Sequence, residues 1–192
     1  MSKLYFFSGS FDPPHLGHRE IAKICGQYSD LLIVFPTHQS PNKSHTSLAS
    51  DYDRKTMVEL NFSQIPDLVI DDFELNSERG NYTIDTIKYI KQKFPADDIT
   101  LVLGGDQWND FKSWYRWKEI LDSVNILCFN RDDKSPIAEL TIQPSNVTFF
   151  HDFHFDISST HIRTLLKTRD MDVRKFLFDG VFNYIIDNNL YL

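Results

Sequence analysis

Short, almost unbroken apolar runs alternate along this chain with longer stretches whose apolar residues recur every three or four positions. The runs are Leu4-Tyr5-Phe6-Phe7, Leu31 to Phe35, Leu68-Val69-Ile70, Thr100 to Leu103, Val124 to Phe129 and Val147 to Phe150. A strand covered on both faces has no polar side to show, so such runs predict buried strands of a parallel sheet. Between and after them, helical spacing predicts helices over residues 16–28, 51–62, 82–94, 106–121, 159–168 and 172–188. In the third of these, Ile87, Ile90 and Phe94 form a core-facing stripe, and near the end the pairs Val181/Ile185 and Phe182/Ile186 repeat the pattern. Strands alternating with helices, with short connections, predict an α/β fold with a doubly wound parallel sheet, followed by C-terminal helices. Ligands of such sheets bind beyond the carboxyl ends of the strands, where the strand order reverses. No repeat, low-complexity tract or Pro/Gly linker divides the chain, so residues 1–192 are expected to form one domain. The polar, proline-containing stretches 36–50 and 130–146 are expected to be surface loops.

Composition narrows the class. With 41% apolar and 24% charged residues, disorder, collagen and coiled coil are excluded as whole-chain answers. Twenty Lys and Arg against 27 Asp and Glu leave a formal charge of −7, and no basic run exceeds two residues. Nucleic acid is therefore not an expected partner, and an anionic substrate has to be met by a few local cations and backbone dipoles. Cys25 and Cys128 lie far apart in apolar segments and read as buried thiols of a reducing compartment. The longest apolar run, Leu31 to Phe35, falls far short of the roughly 20 residues a membrane span needs. Only four apolar residues stand between Lys3 and Ser8, too few for a secretion signal. The expectation is a cytoplasmic protein without a membrane partner.

Two segments carry chemistry. The first strand runs into Gly9-Ser10-Phe11-Asp12-Pro13-Pro14-His15-Leu16-Gly17-His18 and then a helix. Gly9 lacks a Cβ and lets a phosphate approach the backbone. The prolines hold the chain extended up to the helix start. His15 and His18, three residues apart, project from one side of the first turn, beside amide groups and the positive end of the helix dipole. The second segment, Ile157-Ser158-Ser159-Thr160-His161-Ile162-Arg163, opens another helix. Ser158 or Ser159 suits the N-cap, and Arg163, leaning back toward the N-terminus, reaches an anion held there. Capping alone needs the first serine but neither the arginine nor the third hydroxyl. No G-x-G-x-x-G follows the first strand and no G-x-x-x-x-G-K-[ST] occurs, which argues against a dinucleotide oxidoreductase and a P-loop enzyme.

Other candidates weigh less. Strand alternation makes the histidines of His151-Asp152-Phe153-His154 diverge, so a metal site there needs irregular backbone. His38 and His45 read as solvated loop residues, and His161 has no role to argue. Trp108 and Trp117 read as core residues. Arg54 suits a structural ion pair as well as a substrate contact.

Together the two segments resemble the nucleotidyltransferase superfamily that carries an HxGH motif near the N-terminus and an ISSTxxR motif near the C-terminus. Five further blocks, in order along nearly the whole chain, are similar to the bacterial nicotinate-nucleotide adenylyltransferases. They are Asp53-Arg54-Lys55-Thr56-Met57, Tyr82-Thr83-Ile84-Asp85-Thr86, Leu103-Gly104-Gly105-Asp106 with Trp114 eight residues on, Phe129-Asn130-Arg131, and Asn189-Leu190-Tyr191. That family usually has a histidine where this chain has Asn42, and a Val-Pro pair where it has Asp179-Gly180.

The resemblance implies a Rossmann-like nucleotidyltransferase fold and transfer of an adenylyl group from ATP to nicotinate mononucleotide, giving nicotinate adenine dinucleotide and pyrophosphate for NAD synthesis. It implies that His15, His18 and Arg163 are the catalytic set, the histidines contacting the ATP phosphates. Gly9, Ser10 and Phe11 would supply backbone contacts around the α-phosphate, and Ser159 and Thr160 would join Arg163 on the β- and γ-phosphates. Asp106 would take the ATP ribose. Trp114 would stack on the pyridine ring, with Thr83 on the same side, and Lys43 or Arg131 would meet the remaining phosphate charge. Mg²⁺ would arrive with ATP, held by the substrate and not by a protein cage. Two alternatives stay open: the same transfer onto nicotinamide mononucleotide, and a nucleotide sensor that kept the fold without the reaction.

Overall fold

Alternation along the strands decides what covers the sheet. The computed structural model describes residues 2–38, 47–77, 81–94, 96, 98–129, 144–151, 153, 155 and 157–192. Within them, β1 (Lys3–Gly9), β2 (Leu31–Pro36), β3 (Leu68–Ile70), β4 (Asp98–Gly104), β5 (Asn125–Phe129) and β6 (Val147–Phe150) form one parallel sheet in the order β3-β2-β1-β4-β5-β6. Leu4, Phe6, Ile33, Phe35, Leu101, Leu103, Ile126 and Cys128 turn to one face, where α3 (Thr83–Lys93), α4 (Gly105–Asn109) and α5 (Trp117–Ser123) cover them. Phe7, Leu32, Val34, Val102, Leu127 and Phe129 turn to the other, under α1 (Leu16–Gly26) and α2 (Asp51–Phe62). Burial on both faces explains why the strands read as continuous apolar runs. The doubly wound α/β architecture expected from the sequence is the one observed.

A third apolar cluster lies outside the sheet. Met57 of α2 packs there with α6 (Ser159–Lys167), a 3-10 turn at Met171–Phe176 and α7 (Asp179–Asp187), through Ile162, Leu166, Val173, Leu177, Val181, Phe182 and Ile185. These are the expected C-terminal helices, fastened to α2 and thereby to the sheet.

Two helices are broken where periodicity predicted continuity. The stretch 106–121 divides into α4, a 3-10 turn at Phe111–Ser113, and α5, whose N-cap Arg116 is left-handed at φ 58°. Trp108, Phe111, Trp114 and Trp117 recur every three residues, and an α-helix rotates such a series by roughly 60° at each step. An unbroken helix would point Trp117 away from Trp108. The break lets Trp108, Trp114 and Trp117 all pack around Phe111, at centroid distances of 5.2, 5.5 and 6.3 Å. The stretch 172–188 likewise divides, because Leu177 leaves helical geometry to bury its side chain and Phe178 caps α7. Ile186, expected on the core stripe with Phe182, is exposed; the stripe of α7 is Val181, Phe182 and Ile185.

The order reverses at β1, whose neighbours are β2 and β4. Gly9 ends β1 and Gly104 ends β4, so both open at the switch point where doubly wound sheets bind ligands.

Candidate active site

The turn after β1 is shaped by one buried ring. Phe11, at φ 47°, turns inward and meets Phe7, His18 and Phe62 edge-on at 5.5, 5.1 and 5.8 Å. A Cβ on Gly9 would lie 3.1 Å from that ring. The space that the sequence reading kept open for a phosphate is therefore taken, on the Cβ side, by the chain's own Phe11. A side chain at position 9 would press on that ring.

His15 is the N-cap of α1, extended at φ −142° and ψ 172°, and only 2% exposed. Its backbone N–H donates to Nδ1 of His18 at 3.2 Å, and the two imidazoles stack at 3.7 Å. An accepting Nδ1 places the His18 ring proton on Nε2, making that edge a donor. Gly17 allows the arrangement: a Cβ there would lie 2.7 Å from the Phe155 ring and 3.0 Å from Nδ1 of His15. The expected shared side of the two histidines is thus observed.

α6 is tied directly to this turn. Ser158, the N-cap, accepts from the His161 N–H at 3.2 Å. Ser159 Oγ donates to the Pro13 carbonyl at 2.9 Å, and Arg163 Nη1 donates to the Asp12 carbonyl at 2.6 Å. Arg163 Nη2 also donates to Thr160 Oγ1 at 3.2 Å. The N-termini of α1 and α6 therefore meet at Pro13, and His15, His18, Ser159, Thr160 and Arg163 form one cluster. The summed helix dipoles and the guanidinium make it a place for a multiply charged anion.

Asp12, to which the motif alone assigns no role, is the hub of the turn. Its carboxylate accepts from the Leu48 N–H at 2.9 Å, the Ala49 N–H at 3.2 Å and the Tyr191 hydroxyl at 2.6 Å. Arg54 is fully buried and structural. It donates to the carbonyls of Ser10 and Thr37, both at 2.6 Å, to that of His38 at 3.2 Å, and to the Asp51 carboxylate. His38 also bonds Asp51. Burial raises the Asp51 pKa, but the hydrogen bonds from His38 and Arg54 outweigh it and hold the carboxyl below its ordinary range. Glu74 went unnoticed in the sequence, where nothing separates it from a surface acid. It is buried beneath β1 and accepts from Ser8 Oγ at 2.9 Å and Thr86 Oγ1 at 2.6 Å. Burial pushes its pKa up to about 7 against the pull of those two hydroxyls.

Asp106, Thr83 and Trp114 lie on the face of the sheet covered by α3 to α5. Asp106 is exposed in the first turn of α4, directly after β4. Thr83 begins α3 and Trp114 ends the 3-10 turn, and the rings of their neighbours Tyr82 and Tyr115 pack at 4.6 Å, joining the two segments. Trp114 is partly buried against Phe111, and Trp108 is a core residue as expected. Lys43, Asn42, His45, Arg131, Asp152 and His154 lie outside the described residues, as do most of 36–50 and 130–146. Cys25 and Cys128 are buried free thiols, each pushed up to about 12 by burial. Among the described residues, no helix is long and apolar enough to cross a membrane.

Comparison with known proteins shows similarity along nearly the whole chain. The cytidylyltransferase-like family model matches residues 6–165. A probable nicotinate-nucleotide adenylyltransferase of Bacteroides thetaiotaomicron is 35% identical over 187 residues, covering 95% of this chain and 90% of its own length. One from Shouchella clausii is 34% identical, covering 100% of this chain and 97% of its own length. Among solved structures, the Plasmodium falciparum nicotinic acid mononucleotide adenylyltransferase complexed with NaAD superposes with a TM-score of 0.81 at 21% identity. That match covers 100% of this chain and 98% of the other.

Proposed function

The chain belongs to the cytidylyltransferase-like family, and within it to the nicotinate-nucleotide adenylyltransferases; from there we propose that it joins ATP to nicotinate mononucleotide, releasing pyrophosphate and nicotinate adenine dinucleotide, as a single-domain cytoplasmic enzyme. The observation that carries this reading is the tie of Arg163 and Ser159 to the carbonyls of Asp12 and Pro13, which unites the two phosphate-binding segments in one anion site.

A phosphate oxygen of the mononucleotide attacks the α-phosphorus of ATP in line. The new P–O bond forms as the bond from the α-phosphorus to the bridging oxygen breaks, and the electron pair leaves on pyrophosphate. No protein nucleophile takes part; positioning and matching of developing charge supply the rate. His18 presents Nε2–H to the α-phosphate, with His15 stacked behind it and Ser10 and Phe11 lending backbone groups. Arg163, Ser159 and Thr160 meet the departing β- and γ-phosphates, and the N–H groups opening α6 add to them. Asp106 accepts from the ATP ribose, Trp114 and Thr83 border the pyridine ring, and Lys43 or Arg131 meets the acceptor phosphate. Among the described residues no three His, Cys, Asp or Glu side chains gather as a metal cage. In this reading Mg²⁺ would enter with ATP, carried by the substrate, and would share the triphosphate charge.

The test is pyrophosphate release from ATP and Mg²⁺ with nicotinate mononucleotide, nicotinamide mononucleotide or no acceptor. Release with the nicotinate form alone is expected, and His18→Ala should lower turnover by about 10²–10³ with its fold intact, as loss of one preorganised donor does. A preference for the amide would reassign the acceptor. Nucleotide binding with no release from either would leave a sensor, not a transferase.

A further inference from the structure

The segment after α7 reaches back across the molecule in a strained conformation. The chain leaves α7 by a tight reversal: Asn189 is left-handed at φ 52°, its N–H bonds the Ile186 carbonyl at 3.2 Å, and the Leu190 N–H bonds that of Ile185 at 3.0 Å. Asparagine tolerates that conformation. Tyr191, two residues on, adopts it too, at φ 64°, where a bulky residue is an outlier that persists only when its surroundings hold it there. What the strain delivers is the phenol, whose hydroxyl donates at 2.6 Å to the carboxylate of Asp12.

We propose that Tyr191 is a positioning residue of the nucleotide phosphate site, its hydroxyl fixing Asp12 and, through the Asp12 main chain, the guanidinium of Arg163. Asp12 joins four parts of the chain. Oδ1 takes the Tyr191 hydroxyl and the Ala49 N–H, Oδ2 takes the Leu48 N–H, and the Asp12 carbonyl takes Arg163 Nη1. Arg163 Nη1 is also 4.0 Å from Oδ2, so a rotated Asp12 carboxylate would compete for the guanidinium. With three donors holding it, the carboxylate stays turned toward the entry of α2 and Tyr191, and the carbonyl remains the partner of Arg163. Burial, with the Asp12 charge beside it, pushes the Tyr191 phenol far above its ordinary range, so it remains a donor at any physiological pH.

The kinetic form of this inference rests on the adenylyl-transfer reading; its binding form does not. Tyr191→Phe removes only the hydroxyl. Tyr184→Phe serves as the control, because Tyr184 belongs to the same C-terminal segment and its hydroxyl donates at 2.8 Å to Asp53, away from the hub. Tyr191→Phe is expected to raise the KM for ATP about five- to tenfold, with the KM for the mononucleotide unchanged, as loss of a hydrogen bond to a charged group does. Tyr184→Phe should leave both KM values at wild type while melting at a similar temperature to Tyr191→Phe. In an Arg163→Lys background the Tyr191→Phe effect should shrink, since the two changes act on one contact. An unchanged KM for ATP, an equal rise in both tyrosine variants, or independent multiplication with Arg163→Lys would overturn the proposal. If wild type releases no pyrophosphate, the transfer reading falls, and calorimetric titration of ATP with Mg²⁺ onto the same variants decides. Weaker binding by Tyr191→Phe alone upholds the positioning role, and equal binding ends it.

Discussion

A carboxyl group sealed from water keeps its proton longer, and Glu74 is such a group. Its pKa rises from an ordinary 4.5 to about 7, and burial is the largest cause. The folded state thus binds this proton more tightly than the unfolded chain does. The stability Glu74 contributes is full below about pH 4.5 and is lost as the pH rises through about 7, to a limit of about 3 kcal/mol. Glu74→Gln keeps an oxygen for the Ser8 and Thr86 hydroxyls and has no proton to lose. Urea unfolding at pH 5 and pH 8 should show the variant near wild type at the lower pH and about 1–3 kcal/mol more stable at the higher. Parallel pH slopes would mean that Glu74 stays charged in the fold. No sequence signal marked this residue, because its burial comes from β1 and α3 closing over it, and Ser8 of β1 lies 66 positions away.

At the scale of elements, Arg54 does for the loops what a hydrogen-bond ladder does for strands. Three loop carbonyls, of Ser10, Thr37 and His38, and the Asp51 carboxylate at the start of α2 converge on one guanidinium held by α2. Replacing it with methionine fills the volume but removes every donor, and should destabilise the protein by about 3–5 kcal/mol in denaturant titration. A loss under about 1 kcal/mol would mean that water already serves those carbonyls. The elements themselves were largely legible. Strands β3 and β6 and helix α2 run as the pattern predicted, because each is a short run with one plain period. The pattern failed where a period of three was read as helical. Around Phe111 three tryptophans pack together, and tertiary packing broke the helix; after Met171 the burial of Leu177 did the same.

The whole molecule adds what neither scale holds. The histidines and the Ser-Thr-Arg segment were readable as motifs and were joined through the family resemblance, but the contacts that unite them were not legible, since Arg163 meets Asp12 across 151 positions and Tyr191 meets it across 179. Asp12 and Tyr191 carry ordinary side chains whose roles exist only once the third apolar cluster has brought the C-terminal helices against α2. The Phe11 ring that crowds the missing Cβ of Gly9 was not legible for a related reason: it belongs to a turn whose inward bend is invisible in the letters. The two thiols follow from the same architecture. Cys25 lies in the cluster under α1 and α2, and Cys128 in the one under α3 to α5. Each face of the sheet thus carries a natural chemical clock. An alkylating reagent reaches either sulfur only when its own layer opens, and Cys25→Ser and Cys128→Ser variants let each be timed alone. Equal labelling rates are expected if the sheet opens as one cooperative unit, while a faster Cys25 would mean that the layer beside the nucleotide turn breathes by itself. The same pair then times how firmly bound ATP shuts each layer.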